Sequence, residues 1–202
     1  MAILSLPTMT RTSPSAMVFS LQPNTASFQS PLNRTVQTSE LPGARWMASV
    51  SYNNLTDADA RILKAWLNKL SGMAGRFYLP DYTHLTPSGT ALGTPLVKGA
   101  AQSGRTLLTD GWTANQANLL LPGDYFGVGT QLLVITDPIS SDSGGNATLK
   151  FEAPLRSIPA DNAVITKTAP TCVMMLVDDK QDKFVFQERN VTTVTFDCME
   201  VF

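Results

Sequence analysis

Only one stretch of this chain carries a helical repeat. Ile62, Leu63, Trp66, Leu67 and Leu70 recur at the three-and-four spacing of a helix with one apolar face. Nearly everything else is short runs of β-branched and aromatic residues, cut every few positions by Pro, Gly, Asn or Asp. A chain patterned this way has few options, and the expected fold is mainly β with one helix laid on a sheet. The helix has its own start and stop. Thr56 is an N-cap, Asp59 stands at the reciprocal position of a capping box, and Gly72 supplies a left-handed end.

Before the helix, residues 17–21, 26–29 and 34–38 read as strands, separated by turns at Pro23-Asn24 and Pro31-Leu32-Asn33. A longer strand follows Leu41-Pro42-Gly43, with Trp46, Ala48, Val50 and Tyr52 on one face by the period of two. Residues 75–79 predict one more. From residue 81 to 156 the texture changes to Gly, Thr, Asn and Leu with close turn signals, which suggests a small barrel. Long strands return at 171–177, 183–186 and 191–201, where Thr192, Val194, Phe196 and Cys198 share a face. Neither the front nor the tail makes a closed β-domain alone. Residues 1–80 with 157–202 therefore read as one split β-barrel or sandwich domain, interrupted by the barrel 81–156, with residues 154–159 as the exit linker.

Composition bears on what such a fold is for. Only 15% of residues are charged, against about 25% in an average soluble protein. The hydrophobic share is nonetheless 43%, so a full core is available. A polar, weakly charged surface suits a protein covered by neighbours. The net charge of −1 argues against a nucleic-acid reader. It is unevenly spread: residues 1–80 hold seven basic and three acidic side chains, and residues 157–202 hold four and seven. Arg34, Arg45 and Arg61 at the front and Asp178, Asp179 and Asp182 in the tail are the candidate complementary contacts between subunits. The N-terminus has no basic start, and no apolar run approaches the roughly 18 residues of a membrane helix. Cys172 and Cys198 are too few for a disulfide scaffold and are expected as buried thiols. The expectation is a soluble protein of a reducing compartment, without membrane insertion.

Catalytic chemistry has thin support. His84 is the single histidine, with Asp81 as a nearby orienter, and no Gly-x-Ser-x-Gly elbow frames a nucleophile. One histidine and two distant cysteines give no zinc spacing. Asp137, Asp142 and Asn146 lack the order of a calcium loop. Asp124 and Glu152 are the carboxylates to test for hydrolysis. Trp112, with Asn115 and Gln116, would suit sugar stacking if it lay on the barrel's surface. The expectation is no enzyme, no metal and no cofactor.

The order of the parts is itself informative. Residues 41–48 (LPGARWMA), 55–61 (LTDADAR), 75–79 (GRFYL), 99–104 (GAAQSG), 121–126 (LPGDYF), 145–149 (GNATL) and 153–156 (APLR) form a series along nearly the whole chain. This series resembles the distal tail proteins of long-tailed, siphovirus-type bacteriophages, those whose ring domain carries a small OB-like barrel. The resemblance implies a structural virion protein at the tail tip, assembled in the host cytoplasm. It implies a ring of identical subunits, usually a hexamer, joining the tail tube protein to the hub or baseplate protein, with tape-measure protein in its lumen. The chain is short beside receptor-binding relatives and has no large carbohydrate-binding insertion. A glycan-binding module contacting host saccharide is the alternative reading.

Overall fold

A computed structural model describes residues 2–180, 183–187 and 191–202. Strands in the first half are β1 (Ala16–Gln22), β2 (Thr25–Gln29), β3 (Val36–Glu40), β4 (Arg45–Leu55), β5 (Phe77–Pro80), β6 (Gly93–Val97) and β7 (Thr106–Trp112). Those in the second half are β8 (Tyr125–Val128), β9 (Gln131–Ile135), β10 (Ala147–Glu152), β11 (Ile165–Thr166), β12 (Thr171–Leu176), β13 (Phe184–Gln187) and β14 (Val191–Glu200). The fold is mainly β, and α1 (Asp57–Leu70) is the one α-helix among the described residues. The chain divides into two compact units, Met1–Ala2 with Pro7–Arg76 and Met174–Phe202, and Ile3–Leu6 with Phe77–Val173.

In the first unit the antiparallel order is β1-β4-β14 and then the Met174–Leu176 end of β12, with β13 also paired to β14. The alternation seen in β4 sets the register. Trp46, Ala48, Val50 and Tyr52 are all buried, as are Val194, Phe196 and Cys198 facing the same side from β14. The helix packs there, with the Trp66 and Phe196 ring centroids 6.4 Å apart. An isolated helix of this length is marginal in water, so burial of its apolar stripe holds it. Leu63, Trp66, Leu67 and Leu70 are buried, but Ile62, expected in the stripe, is 42% exposed. Ala60 and Asp59 take the place beside Leu63 instead, because a straight helix with Leu63, Trp66, Leu67 and Leu70 inward turns position 62 outward.

The caps follow the sequence with two adjustments. Thr56 Oγ1 accepts the Asp59 N–H at 3.2 Å, while the buried Asp59 carboxylate reaches away to accept the Thr10 N–H at 3.0 Å. The left-handed turn begins at Ser71 (φ 53°) and continues through Gly72 (φ 65°). A Cβ on Gly72 would stand 2.2 Å from Asp179 Oδ1, the atom that accepts the Met73 N–H at 2.9 Å, so a larger residue there would displace the carboxylate that holds this turn.

The second unit contains a six-stranded antiparallel sheet in the order β11-β8-β9-β10-β7-β6. It is nearly closed: the Val97 N–H reaches Ala163 O and the Asn162 N–H reaches Val97 O, both at 2.9 Å, which brings the β6 edge to the chain just before β11. An OB-fold has five strands; here β11, beyond residue 156, is the sixth and supplies the closure. Leu107, Phe126, Leu133, Leu149 and Phe151 fill the interior, with Phe126 and Phe151 edge to face at 5.4 Å. Residues 154–156, read from sequence as exit linker, are tied to the barrel by buried Gln131. Its Nε2 donates to Pro154 O at 2.9 Å, and its Oε1 accepts the Arg156 N–H at 3.0 Å.

Leu63→Ala is expected to cost about 2–5 kcal/mol, since it empties a fully buried site, whereas Ile62→Ala one position away should stay within about 0.5 kcal/mol. Urea unfolding followed by Trp fluorescence separates the two.

Candidate assembly surface

Beyond the Gln22↔Arg45 pair, where the β1–β4 ladder ends, the same two chain segments pair again as β2 and β3. Asn24 fixes this junction: its carbonyl accepts the Leu41 N–H and its Nδ2 donates to Pro42 O, both at 2.8 Å. The hairpin is therefore an arm that prolongs the β1–β4 ribbon. Every residue of both its strands is exposed. A two-stranded hairpin with nothing packed on it is marginally stable in water. Single exposed apolar residues are ordinary, but here three gather at the distal end: Phe28 at 65%, Leu32 at 96% and Val36 at 58% exposure. Phe28 lies opposite Gln37, and Val36 opposite Gln29, so the two apolar side chains project from opposite faces with Leu32 in the turn between. Asn33 Oδ1 holds this turn by accepting from both the Thr35 N–H and Oγ1–H, and Arg34 stands beside it in the left-handed region (φ 58°).

The sheet of the same unit has a second face, on which Val18, Ser20, Thr195 and Asp197 are exposed. Val18, Ser20, Met47, Ser49, Thr195 and Asp197 project there, opposite the helix side. A shallow groove of about 310 Å³ runs over it, lined by Val18, Met47, Val177 and Asp197 among others. On the helix side the only carboxylate of β14 is Glu200, buried, with Oε2 accepting the Trp46 N–H at 3.0 Å. Arm and groove were not singled out in the sequence reading. Their signal is a hairpin polar on both faces between two strands that alternate strictly.

The six charged residues proposed from sequence fall in different situations. Arg34 is at the arm's end, and Arg45, at the start of β4, directs Nη1 to Met199 Sδ at 3.3 Å. Arg61 pairs with Asp57 one turn back at 2.8 Å, an exposed intrahelical pair. Asp179 holds the turn after α1, and Asp178 Oδ1 accepts the Lys180 N–H at 2.6 Å. Asp182 lies outside the described residues. Arg61 and Asp179 thus each make a bond within their own subunit.

Trp112 is a correction. It is 4% exposed in the barrel core, donates Nε1–H to Thr109 Oγ1 at 2.8 Å, and is capped by Lys167 Nζ at 5.7 Å. Its inward position on β7 leaves no face for sugar stacking. Asn115 and Gln116 sit in the adjoining loop, their N–H groups bound to Asp142 O and Ser141 Oγ at 2.9 Å each.

Each candidate for chemistry is likewise engaged. Buried Asp124 accepts from the N–H groups of Ser88, Gly89 and Leu121. Glu152 makes a half-exposed pair with Arg105 at 3.4 Å. His84 does lie beside Asp81, but its Nδ1 meets both Asp81 Oδ2 (3.1 Å) and Thr83 Oγ1 (2.7 Å). A triad needs carboxylate and nucleophile on different ring nitrogens. Tyr125, edge-on to His84, is pushed up to about 12 by burial and then by Asp81. Cys172 and Cys198 are buried free thiols, directed at Leu79 O and Ala48 O, and burial raises the Cys198 thiol. Among the described residues no group of His, Cys, Asp or Glu is placed to hold a metal ion, and no helix is long and apolar enough to cross a membrane. Comparison with protein-family models and with curated proteins found no match.

Two outcomes follow from these bonds. Asp124→Ala would leave three N–H groups without their acceptor and should destabilise the barrel by about 2–4 kcal/mol; thermal unfolding measures it. Asp142 is held below the ordinary carboxylate range by the N–H and Nδ2–H of Asn146 and the N–H of Gly144. A depressed carboxylate contributes stability above its unfolded pKa and loses it as pH falls through the folded value. Exchange of the Gly144 and Asn146 amides should therefore accelerate below the ordinary Asp range, and be independent of pH there, after correction for intrinsic exchange, in Asp142→Asn.

Proposed function

We propose that this protein is a structural component of a phage virion, forming a ring at the distal end of the tail and joining the tail tube to the hub or baseplate. The observation that carries the reading is the exposed arm with its apolar end, on a unit whose sheet has one uncovered face. An arm with no core of its own gains its stability from a surface outside the fold, and the open face is such a surface on the next copy. Low charge supports the same reading, because surfaces destined for burial are depleted in charge. So does the ordered series of motifs, which resembles that of distal tail proteins. The barrel is then an appended module of the ring subunit. Six copies is the number that the resemblance favours, with tube protein on one side of the ring, hub on the other and tape-measure protein in the lumen.

One observation favours glycan binding as a second reading. The barrel carries a cleft of about 510 Å³ lined by Lys98, Lys150, Ser140, Thr148 and Asn146, a hydroxyl- and amine-rich wall suited to saccharide oxygens. Lys98→Ala with Lys150→Ala would then abolish retention on cell-wall or lipopolysaccharide preparations.

The ring reading is tested by mass measurement and electron microscopy of the purified protein, alone and with tail tube protein. Closed rings of one defined mass that cap tube ends are expected. A strict monomer at high concentration in both conditions overturns it.

A further inference from the structure

We propose that Lys98 and Asn146 of the barrel join through a side-chain isopeptide bond, Nζ of the lysine to Cγ of the asparagine, formed by the folded chain with release of ammonia and with Asp142 as proton relay. The bond goes beyond the ring reading and stands or falls without it.

Three side chains that line the barrel cleft meet in the order this reaction needs. Lys98 Nζ donates to Asn146 Oδ1 at 2.6 Å. Since a C=O bond is about 1.23 Å long, Cγ lies no further than about 3.8 Å from Nζ, close to the separation from which a bond forms. On the other side of the amide, Nδ2 donates to both oxygens of Asp142, at 3.0 and 2.8 Å. The amide can point only this way, because an ammonium has no acceptor and a carboxylate no donor. The electrophilic carbon is thereby turned to the amine, and the leaving nitrogen to the carboxylate.

Both backbones are held as well. The Lys98 N–H donates to Leu108 O, and its carbonyl accepts from Gln102 Nε2, both at 2.9 Å. Asn146 donates its N–H to Asp142 Oδ1 and accepts the Asp142 N–H on its carbonyl, again at 2.9 Å each. The bonds that hold Asp142 below the ordinary carboxylate range keep it ionised and able to accept a proton.

Nζ in its neutral form attacks Cγ, and the tetrahedral intermediate carries its positive charge on the new nitrogen. Asp142 takes a proton from that nitrogen and passes it to Nδ2. The Cγ–Nδ2 bond breaks, the Cγ–Nζ bond remains, and Nδ2 leaves as ammonia through the open cleft. Counted from the charged lysine, ammonium plus primary amide become secondary amide plus ammonium ion, so no oxidant, nucleotide or cofactor is consumed. The link runs from the residue after β6 to the residue before β10, across β7, which lies between those two strands in the sheet. It staples the barrel beside the Val97 hydrogen bonds that close it.

Intact-mass measurement of the full chain, with tryptic mapping, tests the bond. The folded protein should weigh one ammonia less than its sequence. Trypsin should no longer cut after Lys98, and a branched peptide holding Lys98 and Asn146 should appear instead. Lys98→Arg, which keeps the cation, and Asn146→Ala should each show the full sequence mass. Their unfolding midpoints should fall by roughly 10 °C as the closed loop is opened. Asp142→Asn should slow the linkage about a hundred-fold, followed from freshly synthesised chain. A folded protein of full sequence mass that is cut after Lys98 overturns the bond. So does loss of ammonia with the Lys98 cut intact, the mark of a succinimide at an asparagine. Linkage unslowed in Asp142→Asn overturns the relay and leaves the bond standing.

Discussion

The pairing of β4 with β14 is the constraint on which the first unit depends. It joins Met47 to Met199 and Leu55 to Thr192, segments separated by most of the chain, and it keeps two alternating strands in phase from Met47–Met199 to Tyr52–Val194, with a register shift before the Leu55–Thr192 pair. In that register Trp46, Val50 and Tyr52 fall on the same face as Phe196 and Cys198, and the helix has something to cover. Slipped by one residue, the apolar set would meet water and the serines would meet the helix. The buried Glu200 belongs to this register as well. A carboxylate at 2% exposure is costly unless its oxygens are bonded, and the Trp46 N–H is within reach only when the strands pair this way. The arm and the groove are consequences of the same ladder. One prolongs β4 and its partner β1, and the other lies on the ladder's far side.

The barrel is held by a different device. Its strands are short, and closure relies on Val97 exchanging hydrogen bonds with residues 162 and 163 rather than on a long ladder. Gly93 and Gly111 mark where β6 and β7 approach most closely: a Cβ on Gly111 would stand 2.4 Å from Thr94 O, and its φ of 74° favours glycine in any case. Lys167 closes the neighbouring gap, donating to the carbonyls of Ala91 and Gly93 above the Trp112 ring. Burial lowers its pKa, as expected for an ammonium drawn from water onto carbonyl oxygens.

What was legible in the sequence is what depends on local period. The helix, the inward faces of β4 and β14, and the turn-punctuated barrel strands all announce themselves within ten residues. What was not legible depends on partners distant in sequence. β11 is two residues long and has no period to read, so the sixth strand stayed hidden. Trp112 looked like a surface aromatic beside Asp110-Gly111, but its side is decided by β7 pairing with β10. The partners of Arg61 and Asp179 were hidden for a related reason. Charge sign can be counted along a chain, but Asp57 and the Met73 N–H, which occupy those two residues, are seen only in the fold. The arm shows the converse error. Its strands were readable, but exposure on both faces follows from what the rest of the chain leaves uncovered.

Weak charge has a specific use in such a surface. The arm and the open face carry Ser, Thr, Gln and Asn where a freely diffusing protein would carry Lys and Glu. Neutral polar groups can exchange water for protein partners at modest cost, whereas each buried ion must recover a desolvation penalty of several kcal/mol. A surface meant to be covered therefore does well to keep charge scarce, and the few ions that remain gain selective power.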